Sequence, residues 1–192
     1  FYATVLCSLA FLVLINFNYF TILIALASMP LAFSYPLMKR FTYWPQLFLG
    51  VTFNYGLILG WTSINSEIDF IAIIFYFGAI FWTLGYDTIY GFQDIKDDEI
   101  IGIKSTSIKF KSKPNVFLSI CYSLFLISIL LVGIIDKMNK FYFIFFILIF
   151  FHMFFLQLKK FNHQNALNCL KIFKSNNHLG LIVLATLLIG KL

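Results

Sequence analysis

The sequence predicts an all-α protein, a bundle of helices that span a lipid bilayer. Hydrophobic residues make up 61% of the 192 positions and charged residues only 11%, whereas a soluble domain is about half apolar and about a quarter charged. Apolar runs near the roughly twenty residues that cross about 30 Å of hydrocarbon recur along the whole chain. We therefore predict one membrane-embedded domain over residues 1–192 and no separate soluble domain.

Seven candidate spans follow one another, each bounded by polar or turn residues. They cover approximately residues 1–15, 19–35, 45–63, 70–90, 115–135, 141–157 and 176–191. The polar segments that separate them lie at residues 16–18, 39–40, 65–69, 91–113, 136–140 and 159–177. The first and last spans are short, which indicates helices that are cut or tilted.

The basic residues are distributed unevenly between the two ends of this bundle. Eleven of the 14 fall on the side of the loop after the second span, and Lys137, Lys140 and Lys191 fall on the other side. Because loops rich in lysine and arginine stay on the cytoplasmic side, this asymmetry supports both the number of spans and their orientation. The net charge of +6 is explained by lysines beside anionic headgroups, so no nucleic-acid partner is expected.

The fourth span leads into an acidic segment, YDTIYGFQDIKDDE, at residues 86–99. If the helix continues through it at 3.6 residues per turn, Asp94 and Asp98 lie about 20° on either side of Asp87. Asp97 falls about 80° off that face. An acid that follows a long apolar run is costly in hydrocarbon and indicates a functional site, whereas a solvated loop is the alternative for the outer acids.

The row of carboxylates predicts a bound cation. Asp94 and Asp98 are about 6 Å apart along such a helix, and Asp87 lies about 10 Å deeper. Carboxylates near a helix C-terminus face the negative end of the helix dipole, so an unpaired cluster there is unfavourable. Hard oxygen ligands suit Mg²⁺, which commonly bridges one or two carboxylates to substrate phosphates. The outer pair is therefore the predicted metal site.

Two basic segments on the same side of the membrane fit an anion held by that metal. Gly102 to Thr106 supply a turn, the ammonium of Lys104 and two hydroxyls directly after the carboxylates. Lys39 and Arg40 end the second span, and the guanidinium of Arg40 matches a carboxylate or a phosphate. Topogenic charge is the alternative interpretation of this pair.

These motifs resemble the UbiA-type intramembrane prenyltransferases, whose second aspartate-rich motif has the pattern YDxxYxxxDxxxD. Here Tyr86-Asp87, Tyr90, Asp94 and Asp98 match that pattern. The segments GIKST at 102–106 and SYPLMKRFTYWPQLFLG at 34–50 resemble the 4-hydroxybenzoate polyprenyltransferase branch. Asn176-Asn177 with Gly180-Leu181 also resemble it.

The resemblance implies an enzyme that transfers a polyprenyl group from polyprenyl diphosphate to the ring of 4-hydroxybenzoate, with Mg²⁺, as a step towards ubiquinone. It implies catalytic roles for Asp87, Asp94, Asp98 and Arg40, with Asp94 and Asp98 as the metal ligands. The implied substrate-binding residues are Lys39, Tyr86, Tyr90, Lys104 and Ser105. Arg40 pairs with the diphosphate or with the acceptor carboxylate, and Asp87 orients the phenol or takes its proton.

The chain departs from the family pattern in one respect, because the first aspartate-rich motif, NDxxDxxxD, does not occur in it. Family members have nine transmembrane helices, so we expect the seven to be the third to ninth of a chain truncated before Phe1. Three alternatives stay open: a different aromatic acceptor such as a naphthoate or homogentisate, a membrane transporter, and a chain that is inactive by itself. The expected location is a bacterial inner membrane with the active face in the cytoplasm.

Overall fold

The computed structural model describes residues 1–192, and all of its regular elements are helices. Six segments are long and apolar enough to cross a membrane, which confirms the predicted all-α membrane bundle. These six segments are Tyr19–Phe41, Pro45–Asn65, Phe70–Gly91, Pro114–Ile135, Lys140–Lys160 and Ala166–Lys191. Each overlaps one of the predicted spans.

The first helix is short, as predicted, whereas the last helix is longer than predicted. Helix α1 (Tyr2–Leu14) has 13 residues and measures about 20 Å at about 1.5 Å per residue, less than the thickness of the hydrocarbon. The last helix begins at Ala166 rather than near 176. Lysines and asparagines between these positions indicated a loop, but Cys169 and Ile172 on the same turns are buried against the bundle. This tertiary contact makes a helix of a segment whose hydropathy predicts a loop.

Two broken helices form the N-terminal half. Helix α2 (Tyr19–Ser34) continues through one 3₁₀ turn (Tyr35–Leu37) into α3 (Met38–Phe41). Helices α4 (Pro45–Phe53) and α5 (Tyr55–Asn65) follow each other with a break at Asn54. The side chain of Asn54 donates to the Gly50 carbonyl and to Thr83 Oγ1 at 2.7 Å, which attaches this break to the next helix.

Helices α6 (Phe70–Gly91) and α9 (Pro114–Ile135) pack together at the centre of the bundle. Glycines on α6 allow the close approach, as small residues do at helix interfaces in membranes. A Cβ at Gly78 would lie 2.5 Å from Ser128 Cβ, and one at Gly85 would lie 2.6 Å from the ring of Tyr122. Tyr122 is fully buried, so the two helices meet without space for a larger residue at Gly85.

The C-terminal half is joined to this centre by a buried polar network. Helix α10 (Lys140–Phe151) continues into a π-helical turn (His152–Gln157), and α11 (Ala166–Lys191) packs beside it. Tyr122 donates its hydroxyl to Gln157 Oε1 at 2.6 Å. Gln157 Nε2 donates to Asn176 Oδ1 at 3.0 Å, and Trp82 Nε1 donates to the same oxygen at 2.9 Å. Side chains from α6, α9, α10 and α11 thus share one set of hydrogen bonds.

The helix of the fourth span ends near its predicted end and does not continue to Asp98, so the three aspartates do not lie along one helix. Helix α6 ends at Gly91, and α7 (Ile95–Ile101) starts as a separate short helix, followed by α8 (Thr106–Lys109). Ser107 Oγ donates to the Thr88 carbonyl at 2.8 Å, and in a continued helix this carbonyl would accept from the Phe92 N–H. Phe92 N–H donates instead to Ile89. The packing of α8 against Gly91 therefore ends α6.

Candidate active site

Three of the acidic side chains that the sequence singled out line one cavity of about 120 Å³. Asp87 contributes to it from the last turns of α6, and Asp94 and Asp98 contribute from the start of α7. The remaining walls consist of Tyr35, Lys39, Pro45, Gln46, Tyr90 and Gly91. The predicted grouping of the three carboxylates is present, but a turn between two helices produces it.

The turn places the outer carboxylates at the beginning of a helix. Asp94 is the residue before α7, and its carbonyl accepts from the Asp98 N–H at 2.9 Å. Asp97 and Asp98 lie in the first turn, where the positive end of the helix dipole favours negative charge. For Asp94 and Asp98, the unfavourable position at a helix C-terminus that the sequence suggested is therefore absent. Asp97 is exposed and lies outside the cavity lining.

The ionisation of Asp98 reflects its surroundings. Burial raises the pKa of its carboxyl above the ordinary value, Lys39 opposes this shift, and the nearby Asp94 and Asp97 add to it. A carboxylate that is costly to ionise beside two other carboxylates is stabilised by any cation that enters the cavity. The electrostatics of the site thus favour a bound positive ion near Asp98.

Lys39 is the cation of the cavity wall, and the 102–106 loop holds the backbone that carries it. Gly102 ends α7 with a φ of 78°, and Ile103 N–H donates to the Asp98 carbonyl at 2.9 Å, which is a Schellman motif. The predicted turn at Gly102 is confirmed. Lys104 N–H then donates to the Lys39 carbonyl at 2.9 Å, and Lys104 Nζ donates to the Phe41 carbonyl at 3.3 Å.

Four predicted site residues lie outside this cavity lining. Arg40 is exposed next to Lys39, and Lys104 Nζ lies 5.6 Å from the centre of the Tyr43 ring. Ser105 is buried, and its hydroxyl accepts from the Ile108 N–H at the start of α8. Tyr86 faces a second cavity. The structure thus brings Lys39, Tyr90 and the three aspartates together, and the substrate roles of the others stay predictions.

The second cavity, of about 250 Å³, lies between α4, α6 and α11. Its lining combines aromatic rings with amides: Phe53, Asn54, Trp82, Thr83, Tyr86, Phe173, Asn176 and Asn177. The Tyr90 and Phe173 rings are 4.7 Å apart between centroids, and the Tyr86 and Phe173 rings are 5.8 Å apart. Tyr90 belongs to the first cavity and Tyr86 to the second, so this aromatic group connects the two.

Two polar side chains of the first cavity, those of Tyr35 and Gln46, were missed from the sequence. Tyr35 is four positions before Lys39, a spacing that places two side chains on one helix face, so it could have been found from its neighbour. Gln46 is buried near the start of α4. Nothing in the local sequence distinguishes Gln46 from a residue that simply follows a proline at a helix start.

The donor set of the cavity fits a hard divalent cation. Its ionisable ligands are carboxylate oxygens, which Mg²⁺ prefers to nitrogen or sulfur. No three histidine, cysteine, aspartate or glutamate side chains come close enough to hold one ion together. Asp94 and Asp98 therefore suit a cation that takes its other ligands from water and from the oxygens of a bound anion.

Comparisons with known proteins give one consistent result. A family model described as the UbiA prenyltransferase family matches residues 1–181. Curated proteins named 4-hydroxybenzoate polyprenyltransferase, mitochondrial, are similar: 38% identical in Dictyostelium discoideum, 39% in Bos taurus and 38% in Homo sapiens. These alignments cover 94% to 96% of this chain but only 39% to 50% of the relatives. The chain thus spans half or less of their length.

A solved structure has a similar fold. It is described as giving structural and mechanistic insights into the biosynthesis of digeranylgeranylglyceryl phosphate synthase in membranes. The TM-score is 0.72 over 98% of this chain and 67% of that chain, at 19% sequence identity. At this identity the likeness shows a shared helical architecture.

Proposed function

The chain belongs to the UbiA prenyltransferase family, and we propose that it transfers a polyprenyl group from polyprenyl diphosphate to 4-hydroxybenzoate. The observation that carries the proposal is the meeting of Asp87, Asp94, Asp98 and Lys39 around one cavity. Carboxylates that suit a cation and an ammonium group that suits a diphosphate line the same cavity, which supports the proposal. The acceptor is taken from the names of the curated relatives.

The proposed reaction forms one carbon–carbon bond and breaks one carbon–oxygen bond. The bond between the allylic carbon and the diphosphate breaks, and its electron pair leaves with the diphosphate. The ring carbon beside the phenolic carbon forms the new bond to the allylic carbon and loses its proton. The products are 3-polyprenyl-4-hydroxybenzoate, diphosphate and one proton, and we place the step on the way to ubiquinone.

The roles of the side chains follow from where charge develops. Asp94 and Asp98 would hold Mg²⁺, which would supply positive charge that stabilises the departing diphosphate. The positively charged Lys39 ammonium stabilises the negative charge on the departing diphosphate as well. Asp87 orients the phenol or accepts its proton, which raises the electron density of the ring carbon that reacts.

The remaining predicted site residues act around the acidic cavity. The rings of Tyr86 and Tyr90 stabilise positive charge on the allylic carbon through their π faces. Arg40 pairs with the diphosphate or with the acceptor carboxylate, and Lys104 and Ser105 contribute through the 102–106 loop. The lysine-rich face is cytoplasmic in a bacterial inner membrane. The curated relatives are named as mitochondrial proteins, so a mitochondrial membrane is the alternative location.

The proposal is tested by prenylation of radiolabelled 4-hydroxybenzoate in membranes that contain this chain, with and without Mg²⁺. We expect a Mg²⁺-dependent product that is lost in Asp94→Ala. Parallel reactions with a dihydroxynaphthoate and with homogentisate test the acceptor, and faster turnover of either would replace hydroxybenzoate. If no product forms, but addition of the N-terminal half of a full-length relative restores it, the chain needs that half. No product in either case would contradict the proposal.

The role of Asp87 has its own test. We expect Asp87→Asn to lower kcat on the order of 100-fold, the range seen for a general base, with little change in the KM for the diphosphate. The measurement is steady-state kinetics at saturating Mg²⁺. Turnover equal to that of the unmodified protein would exclude Asp87 from proton transfer and from orienting the phenol.

A further inference from the structure

Gln46 is a buried amide on the wall of the acidic cavity. It is only 5% exposed, and it lines the same cavity as Asp87, Asp94, Asp98 and Lys39. Burial of an amide costs free energy unless its donors and its acceptor are hydrogen-bonded. In Gln46 the amide oxygen has a hydrogen-bond partner within the protein, whereas the amide nitrogen has none.

The orientation of the amide is determined by its partner. Gln46 Oε1 accepts from the Thr106 N–H at 3.0 Å. A backbone N–H can only donate, so the oxygen of the amide must face Thr106 and the NH₂ group must face the other way. On that side Nε2 lies against Gly91, where a Cβ would be 3.3 Å away. Nε2 makes no hydrogen bond within the protein.

Thr106, the hydrogen-bond partner of Gln46, is fixed by contacts of its own. Thr106 is fully buried, and its hydroxyl lies 2.6 Å from Thr88 Oγ1 on α6. Two residues earlier in the same loop, Lys104 N–H binds the Lys39 carbonyl at 2.9 Å. One loop therefore binds both the backbone of Lys39 and the amide oxygen of Gln46, and both residues line the cavity.

The polar groups of the cavity indicate which kind of ligand it can bind. The NH₂ group of Gln46 and the Lys39 ammonium are hydrogen-bond donors only, and the carboxylates of the same cavity favour a cation. The cavity of about 120 Å³ is smaller than the roughly 300 Å³ or more of a site that encloses a whole ligand. The cavity therefore suits a small anion whose oxygens accept hydrogen bonds from these donors and also bind a cation.

We propose that Gln46 is a diphosphate-binding residue, with its Nε2 donating to an oxygen of the diphosphate group beside Lys39. The inference rests on the proposed function, because it takes the diphosphate from the prenyl donor of that reaction. The 102–106 loop, with Thr106 as the anchor of the amide, then acts as the support of the diphosphate site.

The test is the binding of inorganic diphosphate with MgCl₂ to the purified protein in detergent. Gln46→Glu keeps an oxygen for the Thr106 N–H but removes the NH₂ donors, and Gln46→Met removes the donors without adding charge. We expect both to weaken diphosphate binding on the order of tenfold or more, the size of a hydrogen bond to a charged group. Gln93→Glu is the matched control, because Gln93 precedes Asp94 but lies outside this cavity.

Three results would overturn the inference. Unchanged diphosphate affinity in a folded Gln46→Glu protein means that the amide only supports the Thr106 loop. An unchanged affinity for diphosphate with a raised KM for 4-hydroxybenzoate assigns Gln46 to the acceptor. A wild-type protein that binds no diphosphate removes the site altogether.

The same measurement separates the inference from the proposed function. Loss of diphosphate binding in both variants of a protein that does not prenylate 4-hydroxybenzoate, either alone or with the N-terminal half of a full-length relative, would support the diphosphate site and contradict the proposed reaction. Equal binding in an active protein would contradict only the role of Gln46.

Discussion

At the scale of single residues, position decides what each carboxylate of the acidic segment does. Asp97 and Asp98 are neighbours in the first turn of α7, but only Asp98 lines the cavity, and Asp97 is exposed. Burial raises the pKa of Asp98, whereas Lys39 in the same cavity opposes that shift. Two adjacent residues of the same type thus have different environments, and this difference can be measured.

Asp98→Asn and Asp97→Asn form a matched pair. We expect Asp98→Asn to lower kcat/KM for prenyl transfer on the order of 100-fold, as removal of one preorganised electrostatic group does at other active sites. The Mg²⁺ concentration for half-maximal rate should rise as well. Asp97→Asn should stay within about twofold, because an exposed charge is screened by solvent. Equal losses in the two variants would contradict the assignment of Asp98 to the cation site.

At the scale of helices, close packing against α6 determines where the turn that carries Asp94 lies. The glycines Gly78 and Gly85 bring α9 against α6, and Gly91 brings α8 against its end. The last contact also supplies the Ser107 hydroxyl to the Thr88 carbonyl. The turn that carries Asp94 to the cavity therefore depends on helix packing as much as on its own residues.

Gly85→Ala tests this packing. The added Cβ would lie 2.6 Å from the ring of Tyr122, and the hydroxyl of Tyr122 is bound to Gln157, so the ring has little freedom to move. We expect a loss of roughly 1–3 kcal/mol in the free energy of unfolding, typical of overpacking. Thermal unfolding in detergent measures it.

Gly60→Ala on α5 is the control for helix propensity. No atom lies within 4 Å of a Cβ at this position, so alanine should leave the melting temperature unchanged or raise it slightly. A melting temperature of Gly85→Ala equal to that of Gly60→Ala would contradict the close α6–α9 contact.

At the scale of the whole molecule, charge distinguishes the two ends of the bundle. Eleven of the 14 basic residues are on the side that carries the acidic cavity. At the opposite end Lys191 pairs with Asp136 at 2.7 Å, and Asn139 donates to the Ile189 carbonyl at 2.7 Å. The polar groups of that end thus join α9, α10 and α11, and no predicted site residue lies there.

The orientation predicts the labelling of single cysteines by a membrane-impermeant maleimide. Cys7 is exposed and is first replaced by serine, whereas Cys121 and Cys169 are buried and need no change. In a bacterial inner membrane, Lys140→Cys should react in intact cells. Lys96→Cys should react only after permeabilisation, because its loop stays on the cytoplasmic side. The reverse pattern would show that the cavity opens to the outside.

Much of the fold could be predicted because hydropathy is a property of consecutive residues. The six long segments begin and end close to the predicted spans, apart from the start of α11 and the end of the segment Tyr19–Phe41, which was predicted at residue 35. No local sequence pattern predicted the π-helical turn at His152–Gln157. Gln157 in this turn is hydrogen-bonded to Tyr122 and Asn176, which belong to other helices.

The sequence by itself determined the membrane class of the chain, the lysine-rich face and the aspartates of the family motif, because composition, charge and spacing are local. Only the tertiary structure decided how these aspartates meet. It ends α6 at Gly91 through the contact with Ser107, starts α7 at Ile95, and brings Gln46 and Lys39 to the same cavity through the 102–106 loop. These contacts join residues far apart in the chain, and their geometry depends on helix packing that no local pattern encodes.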